Sequence, residues 1–207
     1  MYKSLFVILF VVCSGFCIIN DTDKIVQAAA ESQLPVFLSK IPAGMEASYG
    51  FRPQDDLDLC TVGKPYRMLF FSSDFYKGPI DVSRNYILIK NEWRVPVIAD
   101  SMYRNLLTIT GNPGNYTISG MGDTVLAKEL QQQGAGNEND EYYILRIPPL
   151  RADFFVAESN NSFIEARFTP LLTAIIALPA LSSTGKSSFT LAEVEKTIKE
   201  ALEKNKK

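Results

Sequence analysis

The chain has 207 residues, 46% of them hydrophobic and 21% charged, with a formal net charge of −2. That length can bury a sizeable core, that composition excludes gross disorder, and the slight acidity offers no basic face for nucleic acid. Histidine is absent, which removes Ser-His-Asp and Cys-His catalysis as normally built, HExxH zinc sites and the common near-neutral acid–base group.

The N-terminus runs from a cationic start at Lys3 through an apolar core, Leu5 to Val12, to a small-residue exit, Cys13 to Cys17. Water-seeking residues resume at Asn20. That order predicts a secretory signal peptide over 1–17 and one mature domain over 18–207, secreted or periplasmic. Losing Lys3 leaves 20 basic against 23 acidic residues. A membrane anchor needs about 20 apolar residues, and Leu5 to Ile19 falls short, broken by Ser14-Gly15. Lipidation at Cys17 is the alternative mode of attachment, although Phe16 before it is bulky. Membrane contact is expected only if Cys17 is lipidated or the segment stays uncleaved. Cleavage after Cys17 leaves Cys60 alone, so no disulfide framework is expected and Cys60 reads as a buried small hydrophobe.

Thr22 or Asp23 can cap a helix through Ile25, Val26, Ala29 and Ala30. Pro35 opens a second short turn to Ile41, and Arg52 to Asp56 a short helix that ends at Gly63-Lys-Pro65. Tyr66 to Ser72, Tyr86 to Lys90 and Trp93 to Ala99 read as strands, with Asn91-Glu92 as a two-residue hairpin turn. Pro96 points to an edge strand or a bulge. Leu106 to Thr110 and Tyr116 to Ser119 flank the strongest hairpin signal, Gly111-Asn-Pro-Gly-Asn115.

Asp123 or Thr124 starts a helix through Leu130. Tyr142 to Ile147, Ala152 to Ala157 and Phe163 to Phe168 are three further strands, and the apolar run Leu171 to Leu178 suits a buried central strand. Thr190-Leu-Ala-Glu193 is a capping box opening a final helix whose stripe is Leu191, Val194, Ile198, Ala201 and Leu202. Lys199 falls on its polar face, where substitution should be near neutral. The hairpin-rich pattern gives an α+β fold, with a largely antiparallel sheet and N-terminal, central and C-terminal packing helices.

Chemical motifs are sparse. Ala180 to Ser187 matches a P-loop except at its first glycine, but only about 20 residues follow it, too few for a nucleotide domain. It reads as a Ser-rich connector. Asp55, Asp56 and Asp58 cluster, as do Glu138, Asp140 and Glu141, without the ligand order of a calcium loop. Asp55-Asp56 suits the first turn of a helix. No metal and no cofactor is expected. Trp93, Arg94, Tyr103 and Glu92 could line a groove for sugar or peptide, with core packing as the plainer fate of Trp93. Glu46, Glu92 and Asp100 are the free carboxylates a hydrolase would draw on.

Ile41-Pro-Ala-Gly-Met-Glu46, Tyr49-Gly-Phe51, Gly63-Lys-Pro-Tyr66 and Asn91-Glu-Trp-Arg-Val-Pro-Val97 resemble a group of exported bacterial proteins from Bacteroidota with no assigned activity. The resemblance covers about residues 41–130 and implies an envelope source but transfers no catalytic residue. The expectation is an exported binding or accessory protein of the cell envelope, with a peptide, a glycan or an envelope protein as partner. A carboxylate- or Ser-Lys-based hydrolase, and a protease inhibitor or propeptide-like module, are the alternatives.

Overall fold

A computed structural model describes residues 21–81, 84–134, 141–158 and 162–204. The expected signal peptide lies outside them, as do Glu138 and Asp140 of the second acidic run. The architecture is α+β. Among the described residues the helices are α1 (Asp21–Leu38), α2 (Ser73–Lys77), α3 (Thr124–Gln133), α4 (Leu172–Ala177), α5 (Pro179–Ser182) and α6 (Leu191–Lys204). The strands are β1 (Thr61–Val62), β2 (Tyr66–Phe71), β3 (Ile87–Ala99), β4 (Met102–Asn112), β5 (Asn115–Gly122), β6 (Glu141–Ile147), β7 (Ala152–Glu158) and β8 (Arg167–Pro170). They form one sheet in the order β5-β4-β3-β2-β6-β7-β8, with β1 beside β3. Only the central β2–β6 pairing is parallel. No helix among the described residues is long and apolar enough to cross a membrane.

Strand alternation sorts the core onto two faces. On the back, α1 lays Val26, Ala30, Leu34 and Leu38 over Trp93, Val95, Val97, Leu107 and Ile109. The spacing of four keeps them on one helical stripe. Beside it, α2 and α4 to α6 cover Leu69, Phe71, Leu145, Phe154 and Val156. On the front, α3 sets Leu126, Ala127 and Leu130 against Met68, Leu106, Ile144 and Phe155. The capping box forms at α6: Thr190 N donates to Glu193 Oε2 at 2.9 Å, and Glu193 N to Thr190 Oγ1 at 3.4 Å. Lys186, the P-loop-like lysine, donates to the other oxygen of Glu193 at 2.5 Å. With Lys186 first and the Thr190 N–H second, the Glu193 carboxyl is pulled down to about 2.

Several expectations are corrected. Pro35 does not break α1, because it sits in the last turn, exposed, while Leu34 and Leu38 on either side hold that turn to the sheet. Asn91-Glu92 is not a hairpin turn. β3 runs through it as a local bulge, since β2 shifts register between Arg67 and Leu69. The hairpin turn is Asp100-Ser101, both with positive φ (50° and 58°), linking the paired Ala99 and Met102. Pro96 lies in a central strand rather than at an edge, beside the bulge between Val97 and Ile98 in the β3–β4 ladder and where its other neighbour changes from β2 to β1, and its carbonyl accepts from Gly63 N at 2.8 Å. A residue's N and C=O point the same way in a strand, so the missing N–H faces this gap in the ladder.

Leu171 to Leu178 is helical rather than a strand. Leu171, Ala174, Leu178 and Leu181 are buried while Leu172, Ile175 and Ile176 are exposed, a period near 3.6. β8 begins at Arg167, four residues later than the expected strand at Phe163. Around Asp55 there is no α-helix. Asp56 instead caps a 3-10 turn, Leu57–Leu59, by accepting from Asp58 N at 3.0 Å. Cys60 is half-buried rather than fully buried, and burial first, then the nearby Asp55 and Asp56, push its thiol up to about 11.

Candidate functional site

Of the four expected groove residues, two come together. Glu92 and Arg94 lie two positions apart on the front of β3, and Arg94 Nη2 sits 3.1 Å from Glu92 Oε1. Arg94 Nη1 donates to Thr108 Oγ1 on β4. The guanidinium is buried and its Nε has no hydrogen-bond partner among the described residues. Trp93 points to the back, 0% exposed beneath α1, so it forms no groove wall. Its Nε1 donates to Asp23 Oδ1 at 3.2 Å, Tyr116 meets it edge-on, and Arg67 lies over its ring. Tyr103 is half-buried near the other end of β4, packed among the residues under α3, with its N–H donating to Gln131. Asp100 occupies the hairpin turn and Glu46 accepts from Gly44 N, so the three free carboxylates are not brought together.

Residues that the sequence did not single out complete the cluster. Arg146 on β6 and Asp153 on β7 are direct cross-strand partners. Arg146 Nε and Nη2 donate to the two carboxylate oxygens of Asp153 at 2.8 and 3.2 Å, a fork that fixes the plane of the guanidinium. The Asp123 carboxylate lies 3.7 Å from the same Nη2. Asp123 precedes α3 with φ +66° and does not cap it, because its side chain turns to Arg146 instead. Thr173 of α4 accepts from Asp153 N at 3.0 Å, and Glu129 of α3 accepts from Leu172 N at 2.6 Å. Those two bonds pin α4 against the sheet and α3.

The result is an open cleft of about 390 Å3 on the front, lined by Asp123, Thr124, Glu129, Arg146, Asp153 and Thr173, with Ser48 and Tyr49 also contributing. Beside Arg146 the register places Phe70, half-buried, and Leu88, exposed. Burial lowers the pKa of Arg94, and the charge of Arg146 adds to this while Glu92, Asp123 and Asp153 oppose it. Burial acts the same way on Arg146, but the Asp153 bonds, with Asp123 and Glu92, outweigh it and hold the value above the ordinary one. Burial raises the Glu129 carboxyl, against the Leu172 N–H. Both arginines stay charged. The cluster is thus two oriented guanidiniums among carboxylates and hydroxyls, suited to a ligand with donors and acceptors of both signs. Among the described residues no three histidine, cysteine or carboxylate groups are placed to hold a metal ion.

The sequence carried one usable signal for this site. Arg146 and Asp153 are the charged residues within Tyr142 to Ile147 and Ala152 to Ala157, the two otherwise apolar runs that flank Pro148-Pro149. A tight turn there pairs them. Comparison with family models, curated proteins and solved structures finds no match to the chain.

Proposed function

We propose that the chain is an exported binding or accessory protein of the bacterial cell envelope, which takes a peptide or glycan at the cleft beside Arg94 and Arg146. The observation that supports this most is the Arg146–Asp153 fork, at 2.8 and 3.2 Å, at the wall of an open cleft. A guanidinium held in plane keeps its outward N–H groups pre-oriented, which lowers the ordering cost of binding. Export rests on the Lys3, Leu5 to Val12, Ser14-Gly15 order of the N-terminus.

Intact mass of protein from the native envelope tests export. Loss of about 15–20 residues, the usual signal length, is expected, and a full-length cytosolic product refutes it. Thermal-shift screening with peptide and glycan pools tests binding: a stabilising pool should lose its effect on Arg146→Ala.

One observation favours a hydrolase as the second reading. Glu129 and Asp123 line the same cleft, and the Glu129 carboxyl is raised, as a general acid requires. Turnover of a glycoside or peptide that disappears in Glu129→Gln would establish that reading instead.

A further inference from the structure

A second charged constellation sits on the back of the sheet, near the start of α1. Glu141, the first residue of β6, and Glu158, the last of β7, are direct cross-strand partners. Tyr143 projects from the same face, two residues along from Glu141. Its hydroxyl donates to Glu141 Oε2 and also lies within hydrogen-bonding reach of Glu158. Glu158 is 5% exposed and Tyr143 6% exposed, while Phe163 packs edge-on against the phenol at 5.3 Å between centroids.

The proton count is the informative point. A phenol carries one proton and so satisfies one carboxylate. The second carboxylate meets an oxygen lone pair and becomes a partner only if it carries a proton of its own. Like charges directly opposite on neighbouring strands are also destabilising. We propose that Glu141, Tyr143 and Glu158 hold one extra proton between them, and that losing it loosens the ends of β6 and β7: a proton-sensitive latch.

The surroundings favour retention of that proton. Asp23 of α1 adds a third carboxylate, raised by burial first; the Glu141 charge adds to this, while the Trp93 hydrogen bond, Lys64 and Arg67 oppose it without reversing it. At Glu158, burial comes first and the Glu141 charge adds to it, and the Tyr143 hydrogen bond only partly opposes them, so its carboxyl is raised. An acid raised in the folded state binds its proton more tightly when folded. Its contribution to stability is therefore complete below the unfolded value of about 4.3 and is lost as pH rises through the folded value.

The test is a carbon-13 carboxyl NMR titration of glutamate-labelled protein, with denaturant unfolding at pH 8 and pH 5.5. Glu158 should titrate above the ordinary glutamate range. The unfolding midpoint should rise from pH 8 to pH 5.5, and Glu158→Gln should shrink that rise. Asp23, Glu129 and Glu195 are raised as well, but they remain in both proteins and cancel in the difference. Titration of Glu158 in the ordinary range, or an equal pH shift in wild type and Glu158→Gln, overturns the latch. If Glu158→Gln does not fold, the wild-type carboxyl titration decides alone.

Discussion

Gln33 stands in for a missing strand beside Tyr116. Its Nε2 donates to Tyr116 O at 2.9 Å, and its Oε1 accepts from Ile118 N at 3.0 Å. One residue of a neighbouring strand would bind the same two groups. β5 ends the sheet, so α1 closes with a side chain the edge that would otherwise template pairing with another molecule. The opposite edge is closed by backbone, where Phe168 and Phe189 exchange both hydrogen bonds at 2.9 Å.

Gln33→Ala should therefore cost about 1–2 kcal/mol, because two part-buried backbone groups lose their partner. It should also expose β5. Urea unfolding checks the first effect and light scattering with concentration the second. Unchanged stability and no self-association would mean that water replaces the amide freely.

Asp55→Ala should be among the most damaging single changes. Arg104 Nη2 donates to Asp55 Oδ1 at 2.8 Å, and Nε lies 2.8 Å from Oδ2 without hydrogen-bond alignment. The two side chains are 3% and 0% exposed. Removing one member of such a pair strands a buried charge, at about 3–5 kcal/mol. Chemical denaturation measures this directly, with exposed Asp58→Ala, near neutral, as the control.

Variants along α6 should differ in rank. Ile198 is fully buried, and Ile198→Ala should cost about 2–4 kcal/mol through the cavity left behind. Thr190→Ala should cost about 1 kcal/mol through the lost cap. Lys199→Ala should not be neutral. Its Nζ donates to Phe75 O and, at 2.6 Å, to Gly78 O, and lies over the Phe75 ring, so it ties α2 to α6. Lys196→Ala, exposed on the same helix, should be silent in the same unfolding experiment.

Trp93 is the only tryptophan and reports on α1. Buried between α1 and the sheet, it should emit at short wavelength. Asp23→Ala removes the acceptor for its indole N–H and should red-shift that emission if α1 lifts. An unshifted spectrum would show that Val26, Ala30, Leu34 and Leu38 hold the helix without that bond.

What could be read from the sequence followed local chemistry. Thr190 and Glu193 mark a helix start wherever they occur in this spacing, and α6 begins there. Gly111 and Gly114 adopt φ of +142° and +87° at the β4–β5 turn, as their position implies. The misses have long-range causes. Asp100-Ser101 turns the chain because β3 and β4 pair on either side, not because it is a strong turn dipeptide. The strand reading of Leu171 to Leu178 ignored its period of 3.6. Trp93 and Arg94 are neighbours in sequence, and strand alternation sends them to opposite faces, so they could never share one groove. The cleft needs Arg146 from β6, Asp153 from β7, Glu129 from α3 and Asp123 from the junction of β5 and α3, and their convergence is a property of the strand order.

Ligand binding at the cleft is tested most directly by amide NMR of the protein, titrated with disaccharide-peptide fragments of peptidoglycan and with short zwitterionic peptides. Saturable shifts are predicted at Glu92, Arg94, Asp123, Thr124, Arg146 and Thr173, and their loss in Arg146→Ala. Shifts confined to other surfaces, or shifts at the cleft that persist in Arg146→Ala, would contradict binding there.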